Sequence, residues 1–319
     1  MIGKNRNLLN EVSMYRRYFI VALVLSITPS LFGQEPVPQE RPPIIDMHLH
    51  AYPVVPGRDM DFFWLPDGMQ PPESTEQLMR ATLAEMERYN IVKGWASGPI
   101  KVVAAWKSAA PDMILAAPDF VRETSFPSVR QLREEYESGR LDGLGELVAQ
   151  LAGLTPSDPF FEPYLALAEE LDIPVAFHTG FPPPGSAYGC CPRARASLGS
   201  PFGVEDALLR HPNLRAYIMH AGYPFLGETI AFLHAHPQVY VDLAEINWMI
   251  PRAEFHEYLR RLMQAGFGKR LMFGSDQMSW PAAIGLAIEG IESAPFLTDD
   301  QKRDIFYNNA ARFLRLEEE

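Results

Sequence analysis

Short apolar segments alternate with stretches carrying helix signals eight times between Ile44 and Leu314, and few folds accommodate that order. The apolar segments are residues 44–50, 91–97, 113–117, 144–147, 173–178, 214–220, 239–242 and 270–276. Strands separated by helices pair in parallel, because a parallel neighbour is reached only through a long crossover. Eight such units predict an α/β chain closed into a (β/α)8 TIM barrel, which occupies about 250 residues. The chain has 319 residues, 47% of them hydrophobic, enough apolar material for one large core.

The helices between these strands carry start and stop signals. Ser74-Thr75-Glu76-Gln77 caps a helix to about Tyr89, with Leu78, Leu83 and Met86 as its buried stripe. Gly139 ends the helix over 128–138 and Gly266 the one over 252–265. Further helices are predicted over 100–110, 158–171, 204–210, 225–236 and 281–293, and Thr298 caps a last one that runs to Leu314.

Polar residues gather where these strands end. In Asp46-Met47-His48-Leu49-His50, residues two apart share a face, so Asp46, His48 and His50 are predicted to point one way and Met47 and Leu49 the other. The fifth segment ends on His178, the sixth on His220 and the eighth on Asp276. Neutral imidazoles converging at the carboxyl face of a barrel can donate nitrogens to one metal ion. Glu146 is the sole acid of an otherwise apolar fourth strand, and such a group is costly to bury unless it is paired or bound to metal. His211, His234, His236 and His256 fall on helices or at helix ends and are predicted to lie at the surface.

Two loops follow the candidate strands. Residues 51–72, rich in proline and aromatics, form a stretch long enough to serve as a lid. Residues 181–200 carry Arg193 and Arg195, candidates to hold a substrate carboxylate by paired hydrogen bonds. The only cysteines, Cys190 and Cys191, are adjacent and cannot staple distant parts of the fold.

The formal charge of −12 argues against nucleic acid as a partner. Arg16 and Arg17 precede a short apolar run, residues 18–27, and then Pro29, Ser30 and Gly33. That order predicts a secretory signal over 1–33, too short for a membrane span. A proline-rich tether over 34–43 then leads into one barrel domain over 44–319. A periplasmic or secreted protein acting on a small molecule is expected, with no stable membrane insertion once the signal is removed. A homo-oligomer is compatible with this reading.

The set His48-Leu49-His50, Glu146, His178, His220-Ala221-Gly222 and Phe273-Gly274-Ser275-Asp276, in that order on separate strands, resembles the amidohydrolase superfamily. Residues 308–314 are similar to the closing helix of the group that includes aminocarboxymuconate-semialdehyde decarboxylase. The resemblance implies one or two divalent ions, usually zinc, held by His48, His50, His178 and Asp276. His220 would act as acid or base or as a ligand to a second ion, and Glu146 as a bridging ligand or a substrate contact. Asp276 would accept a proton from a metal-activated water and pass it to the leaving group, and Asp46 would orient the ligands from behind. The expected activity is hydrolysis of an amide, ester or lactone. The alternatives are non-oxidative decarboxylation of an unsaturated or aromatic acid, the superfamily's metal-dependent deoxyribonuclease chemistry, and a periplasmic protein that only binds metal or ligand.

Overall fold

The computed structural model describes residues 41–55, 69–121 and 126–316. The predicted signal, all but the end of the tether and the middle of the 51–72 lid fall outside the described residues. The strands are β1 (Ile44–His50), β2 (Ile91–Gly98), β3 (Ile114–Pro118), β4 (Leu144–Leu147), β5 (Val175–Phe177), β6 (Ala216–Ile218), β7 (Tyr240–Asp242) and β8 (Leu271–Met272). All pair in parallel and in sequence order, as β1-β2-β3 and β4-β5-β6-β7-β8. Two seams close the cylinder. Phe120 N donates to Glu146 O (2.8 Å) and Val148 N to Phe120 O (3.1 Å) between β3 and β4, while Met47 N donates to Phe273 O (2.9 Å) and Asp276 N to His48 O (2.8 Å) between β8 and β1.

The apolar residues divide into two layers. Ile45, Met47, Trp95, Ala117, Ala176 and Tyr217 fill the inside of the barrel, and Phe313 of the C-terminal helix plugs its amino end. The outer layer joins strand residues such as Leu49, Ala96 and Phe177 to the helices. Met47 therefore does not share a face with Leu49 as the alternation predicts. The register of β1 against β2 shifts between Asp46 and Leu49, and this irregularity turns both Met47 and the histidines inward. Gly143 is required beneath this layer, since a Cβ there would fall 1.9 Å from the Trp95 ring.

Helix α1 (Thr75–Arg88) starts where the capping sequence places it, with Ser74 Oγ accepting from Gln77 N at 3.2 Å. Leu78, Thr82 and Met86 are buried, and Leu83 is half-buried at the edge of that stripe. Burial of a Leu or Met side chain stabilises by about 1.5–3 kcal/mol. The remaining helices are α2 (Ile100–Ala109), α3 (Val129–Glu137), α4 (Glu162–Glu170), α5 (Glu205–Arg210), α6 (Leu226–Ala235), α7 (Ile246–Met249), α8 (Arg252–Gln264), α9 (Ala283–Glu292), α10 (Asp299–Arg303) and α11 (Asn309–Leu314). The single terminal helix expected from Thr298 to Leu314 is interrupted by a π-turn at Asp304–Asn308. Within that turn the Ile305 carbonyl accepts the N–H of Phe273 (2.8 Å), tying the C-terminus to β8.

Two of the four histidines expected at the surface are buried. His211 is clamped between Glu169 (3.0 Å) and Glu162 (3.1 Å), and His236 lies against Glu205 (3.2 Å). Carboxylate partners on neighbouring helices make their burial affordable, which single-residue composition does not reveal. His256 is half-buried beside the Gly290 carbonyl, and His234 is exposed. Cys190 and Cys191 form a disulfide with each other, so no distant segments are joined.

Candidate metal centre

Six polar side chains from five strand ends meet at the carboxyl mouth of the barrel. His48, His50, Glu146, His178, His220 and Asp276 are all buried, none more than 8% exposed. They form three overlapping sets with ligand atoms within 4.8 Å of one another: His48-His50-Glu146, His48-His220-Asp276 and Glu146-His178-His220. On one side, His48 Nε2 lies 3.2 Å from His50 Nε2, and His50 Nε2 lies 3.0 Å from Asp276 Oδ1 and 3.5 Å from Glu146 Oε2. On the other, His220 Nε2 lies 3.2 Å from His178 Nδ1 and 3.6 Å from Glu146 Oε1, the oxygen that also meets His178 Nδ1. Glu146 thus presents one oxygen to each side. His178 stands across it from His48 and His50 rather than beside them.

The local backbone explains how these residues leave the sheet. The ladders of β5, β6 and β8 end before His178, His220 and Asp276. His220 (φ 56°), Ala221 (49°) and Asp276 (49°) adopt left-handed conformations that non-glycine residues take at a cost. Next to Glu146, a Cβ on Gly145 would fall 2.4 Å from the Ala176 carbonyl oxygen, so only glycine allows β4 to approach β5 so closely. Gln277 grips both backbone groups of His50, accepting from its N (2.9 Å) and donating to its O (2.8 Å), and Tyr52 stacks on the His50 ring with centroids 4.3 Å apart.

Three observations fit these side chains to a divalent cation. Tetrahedral ligands at 2.0–2.1 Å from zinc lie about 3.3 Å apart, which is the spacing of the closest nitrogen pairs here. His50 Nδ1 and His178 Nε2 are buried without a hydrogen-bond partner among the described residues, so the polar neighbours of both rings all lie on the cluster side, at His50 Nε2 and His178 Nδ1. Carboxylates crowd the cluster, yet no Lys or Arg is buried among the described residues to balance them.

The same crowding sets the ionisation of each group. Burial disfavours the charged form of Glu146, but His178, His220 and His50 outweigh it and hold its carboxyl well below the usual range. Asp276 is likewise penalised by burial and pulled down to about 2 by His48 and His50. Burial lowers the affinity of His48 for a second proton, and Asp276 with Asp242 reverses this, raising it to about 9. His178, where burial dominates, is shifted down. Burial pushes Glu245 up to about 8 and Asp119, beside His50 and Glu146, up to about 6.

The structure also shows what the sequence reading leaves out. Asp46 does not reach an imidazole; its Oδ1 accepts the backbone N–H of His48 (3.0 Å) and of Ser275 (2.9 Å). The carboxylate behind His48 is Asp242, with Oδ2 at 3.0 Å from Nδ1. Its position at the end of an apolar strand, like that of Asp276, is a signal the sequence contains. Glu245 (Oε2 3.5 Å from His220 Nδ1) follows in a turn with no such signal. Arg195 is exposed and donates to the carbonyls of Pro192 and Ala194 in its own loop, and Arg193 is exposed on the same loop.

The amidohydrolase family model matches residues 45–316, nearly the whole described barrel. This chain belongs to the amidohydrolase family. Solved structures agree on the TIM-barrel fold. An uncharacterized TIM-barrel protein from Bordetella bronchiseptica is similar at 20% identity and TM-score 0.63, over 86% of this chain and 99% of that one. A probable 2-pyrone-4,6-dicarboxylic acid hydrolase from Acinetobacter baumannii aligns at 13% identity and TM-score 0.59, over 86% and 99%. A 5-carboxyvanillate decarboxylase from Novosphingobium aromaticivorans, complexed with manganese, aligns at 13% and 0.58, over 86% and 96%. Among curated proteins, protein fluG of Emericella nidulans is 21% identical over 135 residues, 38% of this chain; the match spans only 16% of that protein's length. A probable hydrolase and a decarboxylase thus share this scaffold, and this chain is an enzyme of the amidohydrolase family with candidate metal-ligand groups at its strand ends.

Proposed function

We propose that the protein is a metal-dependent hydrolase that cleaves an amide, ester or lactone bond of a small molecule, with zinc as its ion. The observation that carries this reading is Glu146, whose two oxygens face two donor groups. His48, His50 and Asp276 form one group and His178 with His220 the other. Such a set would hold one or two divalent ions, with Glu146 within reach of both donor groups. A divalent ion bound there would supply Lewis acidity, lowering the pKa of a water and polarising a carbonyl.

The chain's own residues handle the proton. Asp276, held ionised by the neighbouring imidazoles, is the acceptor for the water's proton and the donor to the leaving group. His220 Nε2 points at Glu146 and His178, which favours a ligand role over that of a free acid. The long first loop and the 181–200 loop follow strand ends at this mouth and are the natural determinants of substrate choice.

A second reading, decarboxylation of an aromatic or unsaturated acid, draws support from the solved decarboxylases that share the fold. It calls for a group to hold the substrate carboxylate, and Arg195 is engaged with its own loop. The deciding experiment is metal analysis of the purified protein followed by a panel of lactones, esters, amides and carboxylic acids with carbon dioxide monitored. Hydrolysis without gas release is expected. Carbon dioxide from an acid, with every hydrolytic substrate untouched, would replace the first reading by the second.

A further inference from the structure

The seventh strand supplies no member of either donor group, yet its end touches both. Asp242 is fully buried; its Oδ2 lies 3.0 Å from His48 Nδ1, and its Oδ1 accepts the N–H of His220 (2.8 Å) and of Ala244 (3.1 Å). Two residues on, the Ala244 carbonyl oxygen lies 3.2 Å from His220 Nδ1. Building on the metal-centre reading above, we propose that Asp242 is a positioning residue that fixes the tautomer of His48, and that the Ala244 carbonyl does the same for His220. The end of β7 thereby aims one Nε2 lone pair from each donor group at its ion.

Each group around Asp242 is limited to donating or to accepting. A neutral imidazole carries one ring proton, and a partner that accepts it at Nδ1 leaves the Nε2 lone pair free for metal. Nε2 is the nitrogen that faces His50 in His48 and Glu146 in His220. Asp242 faces two backbone N–H groups and one ring N–H, so every neighbour is a donor and only a residue that accepts at both oxygens satisfies them. An asparagine offers one acceptor and one donor. Turned one way, its NH2 confronts the two backbone donors; turned the other, it confronts His48 Nδ1. The backbone cannot respond, whereas the imidazole can, by moving its proton to Nε2 and pointing an N–H where an ion would sit.

Asp46 provides an internal comparison, since both of its backbone bonds fall on the single oxygen Oδ1. An amide oxygen can replace that atom, so Asp46→Asn leaves the acceptor geometry in place. Glu245 is backed by the Ala244 carbonyl at the same ring nitrogen, and its loss leaves His220 with an acceptor.

The test is the affinity for Zn2+, measured by competition with a chromophoric chelator, in the wild type, Asp242→Asn, Asp242→Glu, Asp46→Asn and Glu245→Gln, alongside the melting temperature of each metal-free protein. We expect Asp242→Asn to lose about 10- to 100-fold in affinity, and Asp46→Asn and Glu245→Gln about threefold or less. Asp242→Glu, which keeps two acceptors, should recover part of the loss, and it carries the test alone if the asparagine variant fails to fold. Wild-type affinity in Asp242→Asn, an equal loss in Asp46→Asn, or no recovery in Asp242→Glu would each overturn the proposal. A wild-type protein that binds no Zn2+ would remove the metal-centre reading and this inference together; a wild type that binds beside an unaffected Asp242→Asn would remove this inference alone.

Discussion

The two ends of the barrel are built from the same strands and have opposite chemistry. At the amino end, Ile45, Met47, Trp95, Tyr217 and Met272 interdigitate without charge, and Phe313 of α11 closes the bottom with its ring 5.4 Å from that of Tyr217. At the carboxyl end, strand β1 alone passes from Met47 to His48 and His50, and within one turn of chain the surroundings become imidazoles and carboxylates. The lower half relies on apolar burial, which is non-directional and tolerant of small shifts. The upper half relies on hydrogen-bond directions and left-handed backbone, which stabilise little and hold atoms in place. Stability and chemistry therefore draw on separate layers, a division that substitutions in each layer can break.

Asp276→Ala should show the largest effect, on turnover and metal retention rather than on the fold: a fall of about 10³-fold or more in kcat, equivalent to roughly 4 kcal/mol of barrier, with the circular dichroism spectrum unchanged. A variant with the wild-type rate would remove Asp276 from the chemistry. Phe313→Ala probes the opposite end, and about 3–5 kcal/mol of stability should be lost in urea unfolding while zinc affinity holds. Loss of metal binding in that variant would show that the two layers are coupled. Ser74→Ala, remote from both, removes an N-cap and should cost about 1 kcal/mol in the same unfolding assay. Arg195→Ala is expected to leave kcat/KM within about twofold, because an exposed arginine bound to its own loop contributes little. A loss beyond tenfold with an acidic substrate would return Arg195 to the substrate-binding role suggested by its sequence position.

Much of the fold is legible in the chain because its signals are local. The strand at Leu144–Leu147 and the helix capped by Ser74 lie where alternation and capping place them, since each depends on residues within a turn or two. Strands β5, β6 and β8 stop short of the ends of their apolar segments, because His178, His220 and Asp276 leave the ladder for the centre. The face of Met47 was not legible, since a register shift against β2 reverses the alternation there. Nor was the burial of His211, which needs carboxylates from α4.

For the candidate site, the donors are legible in the chain: histidines and acids at the ends of apolar segments, in an order that suits one mouth of a barrel. How they divide around Glu146, and which nitrogen of each ring faces inward, is set only in the folded barrel. The separation of partners along the chain accounts for this. The partner of His48 Nδ1 is Asp242, 194 residues away, and a hydrogen bond between such groups exists only once the cylinder has closed.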